Sequence, residues 1–213
     1  MTKGTGYFIT FEGGEGCGKT TQIALLAAAL AAAGHDVIQT REPGGTPRAE
    51  AVRDLLSHKD WGGQWTAEAE LLLLNAARAE HVHNVIRPAL TAGKTVLCDR
   101  YIDSTWAYQE GLGGLPQTII QTLQDFTIGD TMPHLTLLLD LDVETVLSRV
   151  GTRGAGDHYD RADAQTHRIL RDYFLKRAEE NSQRFAVFDA AQDEQALHTQ
   201  ILKTVEEKLS HAV

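Results

Sequence analysis

Residues 13–20 read Gly-Gly-Glu-Gly-Cys-Gly-Lys-Thr, the spacing G-x-x-x-x-G-K-T. Gly13, Gly14, Gly16 and Gly18 allow backbone N–H groups to turn inward around a phosphate with no Cβ in the way. Lys19 is spaced to reach the terminal phosphates of a nucleoside triphosphate, and the Thr20 hydroxyl to ligate Mg²⁺. Both flanks agree. An apolar run, Tyr7-Phe8-Ile9-Thr10-Phe11, precedes the loop, and an alanine- and leucine-rich segment from Thr21 to Ala33 follows it. Strand, glycine loop and helix form the setting in which this motif holds phosphate, because the positive end of the helix dipole points at the same place.

Further along, Asp99-Arg100 ends the apolar run Val96-Leu97-Cys98. By itself the pair reads as a structural ion pair at a strand end. Beside a phosphate loop, Asp99 reads instead as part of the Mg²⁺ shell next to Thr20. Arg100 stands where a motor ATPase would carry a second acid, and a cation there suits a second phosphate. Arg41-Glu42-Pro43-Gly44-Gly45-Thr46 is either an ordinary connection or a rigid turn that lets backbone approach a ligand. Arg53 and Arg78 lie on the helical segments that follow. Helix arginines are usually solvated, but Arg78 adjoins the largely apolar stretch Leu71–Ala77, where a guanidinium needs an acceptor. His81 and His83 are two residues apart, share no helix face and read as surface. From Arg149 to Arg161, Gly151, Gly154 and Gly156 interleave with Arg149, Arg153 and Arg161. Mobile backbone with fixed positive charge reads as a lid closing over phosphates, the alternative being a flexible basic surface loop.

Elements that position these residues alternate along the chain. Strands are expected over 7–12, 36–40, 95–99, 135–140 and 185–189. Helices are expected over 19–33, 47–57, 66–92, 116–128, 143–150, 163–181 and 193–210. Segments 59–65 and 151–159 read as irregular. Such alternation predicts an α/β fold, a parallel sheet covered on both faces, with ligands at the carboxyl ends of its strands. With 213 residues and no repeat or linker, the chain reads as a single domain over 1–213. A net charge of −9 argues against general attraction to nucleic acid, so the arginines must act locally. Cys17 and Cys98 fit no metal spacing and read as reduced thiols of a cytoplasmic protein, Cys17 mainly as a loop filler whose thiol a helix N-terminus could activate. No run approaches membrane-spanning length.

The chain resembles the bacterial thymidylate kinase family over nearly its whole length. The resemblance rests on FITFEGGEGCGKTTQ (Phe8–Gln22), TREPGGT (Thr40–Thr46), AARAEH (Ala76–His81) and DRYIDSTWAYQ (Asp99–Gln109). It implies a P-loop fold of three αβα layers with a five-stranded parallel sheet, ATP-dependent phosphorylation of dTMP to dTDP with Mg²⁺, and a homodimer. It places Gly13, Gly14, Glu15, Gly16, Cys17, Gly18, Lys19, Thr20, Thr21, Arg149 and Arg153 on the ATP side, with Thr20 and Asp99 at the metal. Glu15 is implied near the acceptor sugar and metal water. Arg53 and Arg100 are implied to grip the acceptor phosphate, with Glu42 nearby. Arg78 would meet the thymine edge, and Thr105, Tyr108 and Gln109 the base and deoxyribose, Tyr108 crowding a 2′-hydroxyl. Gly16 and Cys17 leave the loop without its own arginine, which implies the branch with catalytic arginine in the lid (about 149–162), Arg153 foremost. The family commonly has Phe where this chain has Leu74, which keeps an apolar wall but loses a ring stack of about 0.5–1.5 kcal/mol. The stretch after Asp160-Arg161 is also shorter than in many relatives.

A phosphate monoester has a second pKa of about 6, so this acceptor is already anionic and needs no strong base. Bringing two polyanions together in line demands charge neutralisation and alignment instead. A kinase acting on a neutral sugar hydroxyl would need a base and fewer cations than Arg53 and Arg100 supply. A guanine-reading switch would carry N-K-x-D, which is absent from the sequence.

Overall fold

The computed structural model describes residues 6–57, 65–153 and 163–210. Five strands, β1 (Tyr7–Glu12), β2 (Val37–Arg41), β3 (Thr95–Asp99), β4 (Leu135–Asp140) and β5 (Phe185–Asp189), form one parallel sheet in the order β2-β3-β1-β4-β5. Around it run α1 (Lys19–Ala32), α2 (Pro47–Ser57), α3 (Ala67–His81), α4 (Arg87–Thr91), α5 (Ile102–Thr105), α6 (Gln117–Ile128), α7 (Val143–Arg153), α8 (Ala164–Glu180) and α9 (Glu194–Ser210).

The central strands β1, β3 and β4 are largely apolar and buried because both faces are covered, while the edge strands β2 and β5 are only partly buried. On β1, alternate residues divide between two layers. Ile9 and Phe11 pack with Leu26, Leu30 and Ile201 of α1 and α9, while Phe8 packs with Val82, Ile86 and Tyr101 on the other face. Thr10 and Glu12 share the Phe8 face and are fully buried. Thr10 meets Thr136 of β4 through their hydroxyls at 2.9 Å. Since β1 lies between β3 and β4, the loop that follows it emerges between their carboxyl ends.

Two expectations change in detail. The single helix over 66–92 is α3 and α4 joined by a π-helical turn, Val82–Ile86, in which Arg87 N–H reaches Val82 O. Pro88 has no N–H and its ring would press on the carbonyl four residues back, and the wider turn relieves both. α7 continues past the expected end at 150 to Arg153, since one glycine, Gly151, costs a helix only about 1 kcal/mol. Gly154, Gly156 and Arg161 lie outside the described residues, as does all but one residue of the expected 59–65 loop. α5 and the π-helical segment Trp106–Leu112 have no periodic signal, because residues 101–109 are buried on every side.

Candidate active site

Loop 13–18 turns on left-handed glycines: Gly13 has φ 135°, Gly16 φ 71° and Gly18 φ 94°. At Gly13 a Cβ would stand 2.5 Å from Leu139 O, so backbone and strand touch with no room for a side chain. α1 begins after Gly18 with no side-chain cap and no acid in its first turn. Its first N–H groups are thus left for an anion. Lys19 is buried and its Nζ donates to Gly13 O (3.1 Å) and Gly14 O (2.9 Å). A triphosphate would compete for that ammonium at close range. Cys17 is 1% exposed, 3.6 Å from Lys19 Nζ, and fills the loop's interior. Burial removes the access that a reactive thiol at a helix N-terminus needs.

Thr20 Oγ1 donates to Asp99 Oδ2 at 3.3 Å, and Asp99 Oδ1 is buried with no partner among the described residues. A hydroxyl and an unpaired carboxylate oxygen are hard donors of the kind Mg²⁺ takes, so the pair fits the ion.

Arg100 follows directly, in a left-handed conformation with φ 63° that is uncommon for any residue other than glycine. Its N–H is tied to Phe11 O at 2.9 Å and its carbonyl accepts from Cys98 Sγ at 3.1 Å. Glu12 accepts from Tyr101 N–H (2.8 Å) and Ser104 Oγ (2.6 Å) and so pins the turn from below. The guanidinium then points across the loop. Nη1 donates to Gly13 O (3.0 Å) and Ser104 Oγ (3.1 Å), and Nη2 pairs with Glu15 Oε1, which also accepts from Tyr108 Oη at 3.1 Å. The Tyr108 ring lies under the guanidinium at 5.3 Å. Burial raises Glu15, but the Arg100 and Lys19 cations and the Tyr108 hydroxyl outweigh it and hold its carboxyl at about 2. Glu12 moves the other way. Burial and the nearby Asp103 push it up to about 7, against hydrogen bonds from Ser104 and Tyr101 N–H and the Arg100 charge.

Beside the Arg100 turn, Glu42 and Arg78 are both buried, with Arg78 Nε donating to Glu42 Oε2 at 2.6 Å. Burial disfavours the Arg78 charge, yet Glu42 raises its pKa on balance. Arg78 Nη2 donates to Thr105 Oγ1 (3.0 Å) and Tyr101 O (3.2 Å). Arg78 Nη1 and Gln109 Oε1 are buried and have no partner among the described residues. One donor and one acceptor of this kind are open to a planar heterocycle. Leu74, one helical turn before Arg78, is half-buried. Arg53 donates to Pro43 O at 3.0 Å and so stands on the same turn as Glu42.

His81 corrects the sequence reading. It is 0% exposed, not a surface residue, because α3 turns that face onto the 42–45 turn. His83 is exposed as expected. Arg149 reaches the phosphate loop, donating to Gly16 O (3.3 Å) and Ala190 O (3.2 Å). The side chain of Arg153, and Arg161 entire, lie outside the described residues. Sequence reasoning passed over Glu12, Tyr101 and Asp103 and misplaced His81. A lone acid ending a strand covered on both faces, and a histidine three positions after a buried arginine, were the available signals.

The family model described as "Thymidylate kinase" matches residues 11–201. A protein named thymidylate kinase from Bradyrhizobium sp. strain BTAi1 is 46% identical over 213 residues, 99% of this chain and 94% of its own length. One of the same name from Caulobacter vibrioides is 46% identical, covering 96% of this chain and 98% of its own. Among solved structures, the crystal structure of thymidylate kinase from Ehrlichia chaffeensis superposes with a TM-score of 0.78 at 34% identity, covering 94% of this chain and 99% of that one.

Proposed function

The chain belongs to the thymidylate kinase family, and from that premise we propose that it transfers the γ-phosphoryl of ATP to dTMP, giving dTDP and ADP for dTTP synthesis. One observation carries the assignment of roles. Arg100 touches both the phosphate loop, through Gly13 O and Glu15, and the segment bearing Ser104 and Tyr108. A single guanidinium at that seam can neutralise donor and acceptor phosphates together.

The loop N–H groups and the start of α1 cradle the ATP phosphates, and Lys19 exchanges its loop carbonyls for a phosphate oxygen. Gly13, Gly14, Glu15, Gly16, Cys17, Gly18, Thr20 and Thr21 form that cradle, with Arg149 on its rim. Thr20 and Asp99 would hold Mg²⁺, which supplies charge neutralisation when bound. Arg100 and Arg53 grip the acceptor phosphate. Arg78, Thr105, Tyr108, Gln109 and Leu74 bind the nucleoside, and Glu42 holds Arg78. Glu15, kept ionised by Arg100, orients that arginine and the acceptor sugar. The catalytic arginine that completes charge neutralisation comes from the lid, with Arg153 foremost.

We place the enzyme in the cytoplasm as one domain over 1–213. Among the described residues no helix is long and apolar enough to cross a membrane. It acts on free nucleotides without nucleic acid. It assembles as a homodimer through α3 and α6, a reading supported by Leu72, Ile119 and Phe126, which stand 57%, 51% and 86% exposed on those two packed helices.

ADP release measured with ATP and Mg²⁺, with and without acceptor, tests the reading. It predicts turnover that depends on dTMP, with thymidine, which has no phosphate, inert. Turnover on thymidine, or ADP release indifferent to dTMP, contradicts it.

A further inference from the structure

His81 has no role in the account above, yet it is fully buried against Glu42 and the turn that follows it. Its Nδ1 lies 3.1 Å from Glu42 Oε1 and its Nε2 lies 2.6 Å from Thr40 Oγ1. The Glu42 carboxylate only accepts, so Nδ1 carries the proton and donates it. In the neutral ring Nε2 is then the bare nitrogen and accepts the Thr40 hydroxyl. The ring also occupies the space beside Gly45, where a Cβ would stand 2.4 Å from the imidazole. The end of β2, the 42–46 turn and the last turn of α3 therefore meet on one side chain.

We infer that His81 is a positioning residue that keeps Arg78 Nη1 available to the nucleobase by fixing the Glu42 carboxylate through its second oxygen. Arg78 and Glu42 are close enough for a two-pronged guanidinium–carboxylate pair, which is the stronger arrangement. In that pair the guanidinium would spend a second donor on Glu42 and turn in its socket, carrying Nη1 with it. The His81 bond to Oε1 opposes that by fixing the carboxylate's orientation, and in that orientation Arg78 meets Oε2 through Nε alone at 2.6 Å. Nη2 is spent on Thr105 and Tyr101, and Nη1 is left over, buried and unpartnered among the described residues. Thr40 in turn stops the imidazole from rotating away. The inference rests on the reading of Arg78 as the base contact.

Two amide substitutions separate the ring nitrogens. In His81→Asn the amide N–H stands near Nδ1 and still donates to Glu42. In His81→Gln the amide stands near Nε2, reaches Thr40 and leaves Glu42 Oε1 unpaired. At saturating ATP, His81→Gln and His81→Ala are expected to raise the dTMP KM about tenfold or more, the size of one charge-assisted hydrogen bond. Turnover at saturating dTMP and the ATP KM stay within about twofold, since uniform binding alone is lost. His81→Asn is expected near wild type, and Thr40→Val, which frees the ring, between the two. Equal dTMP KM for His81→Asn and His81→Gln, or losses shared equally with ATP KM and kcat, would overturn the inference. Arg78→Ala is run alongside. If it leaves dTMP KM unchanged, the Arg78 base contact itself fails. If it raises KM while His81→Gln does not, only the role of His81 fails.

Discussion

Arg100 holds a left-handed backbone that favours glycine, and it is the one non-glycine residue among those described with positive φ. Such strain, of order 1–3 kcal/mol, persists where surrounding bonds over-determine it and where the side chain is needed at one place. Arg100→Ala is expected to cut kcat/KM for dTMP about 10³-fold with little change in ATP KM, checked by steady-state kinetics with each substrate varied. Arg153→Ala is expected to lower kcat by a similar factor, with ATP and dTMP KM nearly unchanged, as befits a group that acts only in the transition state. Glu12 supplies a pH signature. Its carboxyl titrates at about 7 in the folded chain against 4.5 ordinarily, raised by burial and Asp103, with Arg100 and Ser104 opposing. The folded state thus binds this proton more tightly than the unfolded state. Glu12 costs nothing below the ordinary carboxyl range and increasingly destabilises as pH rises toward 7, levelling off above it. Urea melts of Glu12→Gln and wild type should show the variant gaining relative stability between about pH 5 and pH 8. A constant difference across that range would contradict the assignment.

At the scale of elements, much was legible because strand and helix signals do not depend on distant partners. The strands at 7–12, 95–99, 135–140 and 185–189 stand where the apolar runs put them, and β2 is displaced by one residue. The geometry of the glycine loop was legible for the same reason, since its spacing is local. What escaped depends on long-range packing. α5 and Trp106–Leu112 bury polar residues that no periodicity announces. Asp103 is fully buried there, and Arg184 meets it through Nη1 and Nη2, both at 2.7 Å, with Arg177 at 3.3 Å. These partners lie 74 to 81 residues away in the chain, so no local pattern could pair them. The cluster clamps α5 to α8 and to the start of β5, and Arg184 continues through Thr136 to Thr10 beneath the phosphate loop. Asp103→Ala would leave the buried Arg184 without its carboxylate, while Arg177 keeps Glu180, and is expected to cost about 3–5 kcal/mol in chemical denaturation. Loss of the exposed Arg48–Glu80 pair should cost no more than about 1 kcal/mol.

For the whole molecule, strand order β2-β3-β1-β4-β5 brings the carboxyl ends of β1, β2 and β3 together. On the proposed reading, residues distant in sequence thereby serve one reaction: Lys19 and Thr20 on the donor side, Glu42 and Arg78 on the acceptor side, and Arg100 between them. Topology also leaves Ile119 and Phe126 outward on α6. Phe126→Glu is expected to convert a dimer to monomers in sedimentation velocity, and a wild-type chain that sediments as a monomer would remove the dimer from the account. The central claim is that one arginine joins the two phosphate sites. A crystal structure with dTMP and a non-hydrolysable ATP analogue tests it most directly. The predicted result places the dTMP phosphate within hydrogen-bond distance of the Arg100 guanidinium, in line with a γ-phosphate held by Lys19. A dTMP phosphate bound elsewhere, with Arg100 still closed on Glu15 and Gly13 O, would contradict it.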